Sequence, residues 1–222
     1  FKPFSNHPLA ARKFSLESLN TFEIKLSPRQ LELRKFAESN EWMFYPQKVK
    51  SSLKYKDFPL QTGNKIPFEA NILIKYAEKT KLEVSDISLQ EGARQTQNEI
   101  QITIVQASET TRLIPDFALE PEGLWSKLFE SIAGRDIDFD NHPKFSKKYY
   151  LRGTDEASVR IFFTEPLLQF LENREEMHIE CHRSRLIFYK KRELLDTSEI
   201  LYTAKFAEEF VALIHQQEEQ LA

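Results

Sequence analysis

Two runs of alternating isoleucines constrain this chain more than any other feature. Ile100, Ile102 and Ile104 alternate with Glu99, Gln101 and Thr103, and Ile72, Ile74 and Tyr76 alternate with Leu73 and Lys75. Successive side chains of a strand point to opposite faces, so each run predicts a strand with one apolar face on a core and one polar face toward water. Between the runs Leu82 and Val84 give way to Ile87 and Leu89, a change of parity that predicts a bulge in the middle strand. Three consecutive strands with connections this short make an antiparallel meander, because parallel pairing needs a crossover of about a dozen residues or more.

Helical signals flank the meander. Ser27-Pro28 places a capping hydroxyl before a proline at the first helical position, predicting a helix to about residue 39 that carries Leu31, Leu33 and Phe36. A short aromatic strand follows at 42–45, and 47–67 is polar, lysine-rich and turn-rich. Residues 114–119 read as a further short or edge strand, since Pro115 has no N–H to give a ladder. Pro121 opens a helix with Trp125, Leu128, Phe129 and Ile132 at helical spacing, ended by Gly134. After a strand at 149–152, Gly153 reads as a turn and Asp155 as the cap of a helix bearing Val159 and Phe162; a further helix carries Leu167, Leu168 and Leu171. Residues 177–182 and 186–190 form a hairpin around Arg183-Ser184. The longest helix, 198–217, bears the stripe Ile200, Ala204, Ala207, Phe210, Val211 and Ile214.

The expected fold is therefore α+β: an antiparallel sheet meander with helices packed on it and a long C-terminal helix. Residues 1–27 read as a partly ordered leader, 28–120 as a helix-plus-meander lobe and 121–222 as a helix-rich lobe with a hairpin, the two lobes forming one compact unit. With 41% hydrophobic residues and 18 Phe against 7 Tyr and 2 Trp, much of the core is phenylalanine, which brings apolar area without hydrogen-bonding demands. Expected core members are Ile72, Ile74, Ile100, Ile102, Ile104, Phe129, Phe162, Leu171, Phe188 and Phe210.

The 31 basic and 34 acidic residues nearly cancel, which argues against a nucleic-acid partner. Cys181 stands alone, so no intramolecular disulfide is possible and a reducing compartment is the simpler assumption. No Gly-rich phosphate loop, G-x-S-x-G or C-x-x-C occurs, and no cofactor is expected. Three candidate sites remain. Asp136, Asp138 and Asp140 begin as a calcium loop does, but Asn141 stands where that loop turns on glycine and Lys147 where it ends on glutamate. His178, Glu180 and His182 share one face of a strand, with Ile179 and Cys181 on the other; their parallel side chains, about 7 Å apart, do not converge on zinc without a bend or a further ligand. The expected state of that face is solvated, and neither set completes a metal site. Third, Lys147, Lys148, Arg152, Arg183, Arg185 and Lys190 lie in sequence beside Tyr149, Tyr150, Phe188 and Tyr189, a basic and aromatic surface suited to phosphates or an anionic membrane.

From residue 114 the text is distinctive: Ile-Pro-Asp-Phe-Ala-Leu-Glu-Pro-Glu-Gly-Leu-Trp at 114–125, Gly-Arg-Asp-Ile-Asp-Phe-Asp-Asn-His-Pro-Lys-Phe-Ser at 134–146, Tyr-Leu-Arg-Gly at 150–153 and Asp155-Glu156. Over about 31–189 the chain resembles a group of uncharacterised bacterial proteins in which one or two N-terminal transmembrane helices precede an α+β domain. It departs from the group in carrying Met177 where tryptophan is common. The resemblance implies no catalytic residue. With the Phe1 start, it implies an apolar anchor upstream, Lys2, Arg12 and Lys13 near the membrane, and a domain facing the cytoplasm; a cytoplasmic protein without an anchor is the alternative. The resulting reading is a non-catalytic binding or interaction domain whose partner is a protein, or a small hydrophobic ligand held between sheet and C-terminal helix. A hydrolase or metal enzyme would have to use the carboxylates at 136–140 or the His178, Glu180, His182 set.

Overall fold

The computed structural model describes residues 25–51, 58, 60, 68–77, 80–91, 98–108, 114–122, 135–190 and 192–221. Its elements run α1 (Pro28–Asn40), β1 (Met43–Tyr45), β2 (Val49–Lys50), β3 (Phe68–Ala77), β4 (Thr80–Glu91), β5 (Asn98–Ser108), β6 (Phe117–Pro121), α2 (Pro143–Lys148), β7 (Tyr149–Gly153), α3 (Glu156–Phe162), α4 (Glu165–Glu172), β8 (His178–His182), β9 (Arg185–Tyr189) and α5 (Thr197–Leu221). The leader and the helix expected after Pro121, with Phe129, lie outside the described residues.

The strands form one antiparallel sheet in the order β1-β3-β4-β5-β9-β8-β6-β7, with β2 also on β3. The fold is α+β, and the β3-β4-β5 meander and the long C-terminal helix are both present. The hairpin joins the meander through β9, which pairs with β5 from Val105↔Phe188 to Ser108↔Arg185. One sheet thus crosses the boundary at Pro121.

Capping explains the helix ends. Ser27 accepts the Gln30 N–H while the Gln30 side chain accepts the Ser27 N–H, a capping box. Asp155 accepts the Ala157 and Ser158 N–H groups at the start of α3, and Asp196 accepts that of Glu199 in α5. On the front of the sheet the helices cover Leu73, Leu82, Val84, Val105, Phe117, Leu119, Leu151, Ile179 and Phe188. The phenylalanines pack on one another, Phe117 lying 5.5 Å from Phe162 and 5.0 Å from Phe163 between ring centroids. A second apolar cluster sits on the back: Phe58, Leu60, Ile87, Leu89, Ile102, Ile104, Ile187 and Tyr189.

Three expectations about the strands are corrected. The parity change in β4 is not a bulge: β4 and β5 pair without interruption from Lys81↔Ser108 to Glu91↔Asn98. Leu82 and Val84 face the front cluster and Ile87 and Leu89 the back one, so a regular strand buries opposite faces at its two ends. The irregularity is in β3, where the register shifts between Ala70 and Leu73 and Asn71 takes φ 55°. Asparagine tolerates that left-handed conformation, and its side chain donates to Asp86 at 2.9 Å. The added residue reverses the facing of everything after it. Leu73 is therefore the front core residue, paired with Val84, while Ile72 and Ile74 are only partly buried on the back and Tyr76 is 68% exposed. Finally, β6 is the short strand of the two readings and not the edge. Pro115 precedes it, and its residues pair with β7 on one side and β8 on the other, all buried.

Candidate functional site

The back of β6, β7, β8 and β9 carries the densest group of buried ionisable side chains. His178, Glu180 and His182 do share this face, with Ile179 and Cys181 on the front. The face is covered rather than solvated, because Phe58 and Leu60 lie in the back cluster beside it. Glu180 is 1% exposed and His178 5%.

Position on the sheet sets each contact. Ala118 stands opposite both Arg152 and Glu180, and its small side chain leaves the space above it to its long neighbours. Arg152 reaches along to Glu120 at 2.6 Å, a pair buried on both sides. Glu180 accepts the Tyr189 hydroxyl at 2.7 Å through one oxygen and the Leu60 N–H at 3.2 Å through the other. The His178 and Tyr189 rings, directly opposite in register, stack at 4.5 Å. His182 turns away to the hairpin end, where Nδ1 lies 2.8 Å from Asp116.

Burial dominates the electrostatics. Desolvation pushes the Glu180 carboxyl up to about 7 against the pull of Tyr189 and Leu60, and it also raises Glu120 despite Arg152. Desolvation, with the Arg192 charge, lowers His178 to about 4. A carboxyl near 7 is poised for proton transfer, but both Glu180 oxygens are engaged within the protein. Among the described residues no three His, Cys, Asp or Glu side chains converge to hold a metal.

The carboxylates Asp136, Asp138 and Asp140 line a cleft of about 550 Å³ with His142, Arg160 and Glu165. Asp136 is turned toward β7, accepting the Leu151 N–H at 3.0 Å, and burial raises its carboxyl. His142 bridges Glu165 at 2.7 Å and Glu172 at 3.2 Å, and the Glu165 bond raises its imidazole. A second cleft, about 370 Å³, lies between Asp116 and the start of α3, with Ile114, Ile161 and Phe162 in its walls.

The basic residues read from the sequence are spread over the fold. Lys148 caps α4, donating to the carbonyls of Leu171 at 2.9 Å, Glu172 at 3.3 Å and Arg174. Lys147 is exposed nearby, and Arg152 is buried in its pair with Glu120. Arg183 and Arg185 are exposed at the tip of the hairpin, whereas Lys190 beyond its other end pairs with Glu175 at 2.9 Å. Cys181 is 2% exposed, and burial pushes its thiol up, away from the reactive thiolate.

Sequence reasoning missed Glu120 and Tyr189 as members of the buried group. Reading 114–119 as a short or edge strand hid both neighbours of β6, and only those neighbours turn Glu120 and Arg152 into a buried pair. A glutamate in an otherwise apolar run was the available signal.

No helix among the described residues is long and apolar enough to cross a membrane. No protein-family model matches the chain. No curated protein sequence matches it either. In architecture the chain is similar to the crystal structure of the mycobacterial trehalose monomycolate transport factor A, TtfA, with a TM-score of 0.58 over 82% of this chain and 93% of that one, at 10% identity, a likeness of fold.

Proposed function

We propose that this chain is a non-catalytic binding domain of a membrane-associated bacterial protein, working in the handling of lipid-like molecules. The carrying observation is that the ionisable side chains best placed for chemistry are tied into the fold: Glu180 is held by Tyr189 and Leu60, Glu120 is paired through one oxygen with Arg152, and His142 is bridged by Glu165 and Glu172. Such a set holds strands and helices together, and none of these side chains is a nucleophile with an adjacent base. Likeness of fold to a trehalose monomycolate transport factor supports the lipid part of the reading, and the resemblance to tethered bacterial proteins supports the membrane part.

Native mass spectrometry of protein purified from its own host tests this. Retained lipid or a membrane-protein partner is the expected result. A stoichiometric metal, together with hydrolytic turnover lost in Asp138→Ala or Glu180→Gln, would replace this reading with the enzyme one.

A further inference from the structure

The back cluster of Phe58, Leu60, Ile87, Ile102, Ile104 and Ile187 gives way, toward the β1–β3 end of the sheet, to side chains that face water. Register fixes which of them share that face. Leu73 and Val84 are on the front, so Ile72, Ile74 and Tyr76 of β3 and Lys81 and Glu83 of β4 are on the back. There Tyr45 stands beside Ile72, Met43 and Glu83 beside Ile74, and Lys81 beside Tyr76. Met43 is 41% exposed, Tyr45 45% and Tyr76 68%, with Ile72 and Ile74 half-buried between them. Isolated exposed apolar groups are ordinary, but a contiguous set marks an interaction surface, and tyrosine and methionine are enriched where proteins meet.

Charge selects the occupant. Among the described residues, the charged side chains in register beside this stripe are Lys81 and Glu83, paired at 2.6 Å. The face is therefore neutral, and it presents one cation and one anion two residues apart on a single strand. A surface of one sign gains nothing from such a pair, whereas a second copy does, because an isologous contact lays a patch on itself and the patch must complement itself. A two-fold axis lying between two such sheets, and crossing β3 and β4 between Ile74 and Tyr76, lays Tyr76 of each copy over Ile74 of the other and Lys81 of each over Glu83 of the other. Each ammonium then meets two carboxylates while the apolar stripe is buried. We infer that the back of β1, β3 and β4, through Met43, Tyr45, Ile74, Tyr76, Lys81 and Glu83, is where two copies of this chain pair face to face. The pairing is separate from the binding reading above and stands or falls without it.

Sedimentation velocity of the whole chain across the micromolar range tests it. The unaltered chain shows a monomer–dimer equilibrium. Tyr76→Ser weakens the dimer at least about tenfold, and Lys147→Glu, on the exposed surface of α2, leaves it unchanged. Lys81→Glu alone and Glu83→Lys alone set like charges opposite one another and weaken it too. Mixing these two variants restores the dimer, because each supplies the charge that the other lacks. That recovery separates contact between copies from the Lys81–Glu83 pair within one chain, which mixing cannot repair. An unchanged circular dichroism spectrum confirms that each variant folds. A chain that is monomeric throughout the range, a dimer that Tyr76→Ser leaves intact, or a mixture that fails to recover would overturn the inference. So would a monomer that floats with phosphatidylcholine vesicles and loses that binding in Tyr76→Ser, because the face would then belong to a bilayer.

Discussion

The Tyr189 hydroxyl donates to the Glu180 carboxylate at 2.7 Å while the tyrosine ring stacks on His178, so one side chain touches two buried ionisable groups of opposite tendency. Glu180 is raised from 4.5 to about 7, and His178 is lowered from 6.5 to about 4. Between 4.5 and about 7 the folded state binds more protons at Glu180 than the unfolded state does, so its contribution falls as pH rises. His178 does the reverse: the folded state binds fewer protons between about 4 and 6.5, and its contribution rises with pH there.

Glu180→Gln separates the two. The amide keeps an oxygen for Tyr189 but has no charge to desolvate. Relative to this variant, the unaltered protein should lose on the order of 3 kcal/mol of stability between about pH 5 and about pH 8. Urea denaturation at the two pH values measures it, and parallel profiles would refute the assignment.

Leu73 and Ile74 test the bulge at Asn71. Leu73 is fully buried against the front core, whereas Ile74 is only partly buried on the back. Leu73→Ala should cost about 2 to 5 kcal/mol and Ile74→Ala clearly less. Thermal or urea unfolding showing the opposite order would mean that β3 faces the other way.

The hairpin turn offers a stabilising change. Arg183 and Ser184 both have positive φ, 49° and 60°, without being glycine or asparagine. Asp116 holds the Arg183 N–H at 2.8 Å, and the Ser184 hydroxyl accepts the Ile114 N–H at 3.0 Å. Arg183→Asn retains the backbone bond and removes a disfavoured left-handed residue, so it should raise stability by about 0.5 to 1 kcal/mol. Ser184→Gly gains less because it surrenders the bond to Ile114. Melting temperatures rank the two variants.

Gly153 is set by close approach. A methyl group there would meet Val159 Cγ2 at 2.5 Å and the Asp116 carbonyl at 3.0 Å. Gly153→Ala should destabilise by about 1 to 3 kcal/mol. Adding Val159→Ala should recover part of that loss, and a double-mutant cycle on unfolding free energies reads the coupling.

Helix starts and the hairpin were legible because their signals are local: Ser27-Pro28, Asp155 and the two runs around Arg183-Ser184 each announce an element within a few residues. Ile102, Ile104, Phe162, Leu171, Phe188 and Phe210 are buried as periodicity required. The facing of Ile72 and Ile74 was not legible, because it depends on one inserted residue, Asn71, with no mark in the hydrophobic pattern. The same holds for the buried ionisable group. His178 and Glu180 could be placed on one face from their spacing, but what covers that face comes from Phe58 and Leu60, more than a hundred residues away in the chain. Long-range cover decides whether a polar strand face is wet or dry, and alternation within the strand carries no information about it.

The regular pairing of β4 with β5, apolar toward the front at Val84 and Val105 and toward the back at Ile87 and Ile102, has a consequence for assembly errors. Sliding this pair by one residue would expose both apolar sets at once, and sliding it by two would draw Ser85 or Gln106 into the place of Ile87 or Ile104. A strand apolar on one face alone is penalised on that face alone. Here each misalignment is penalised at both ends of the ladder, so the helices on the front and the cover on the back select the same register independently.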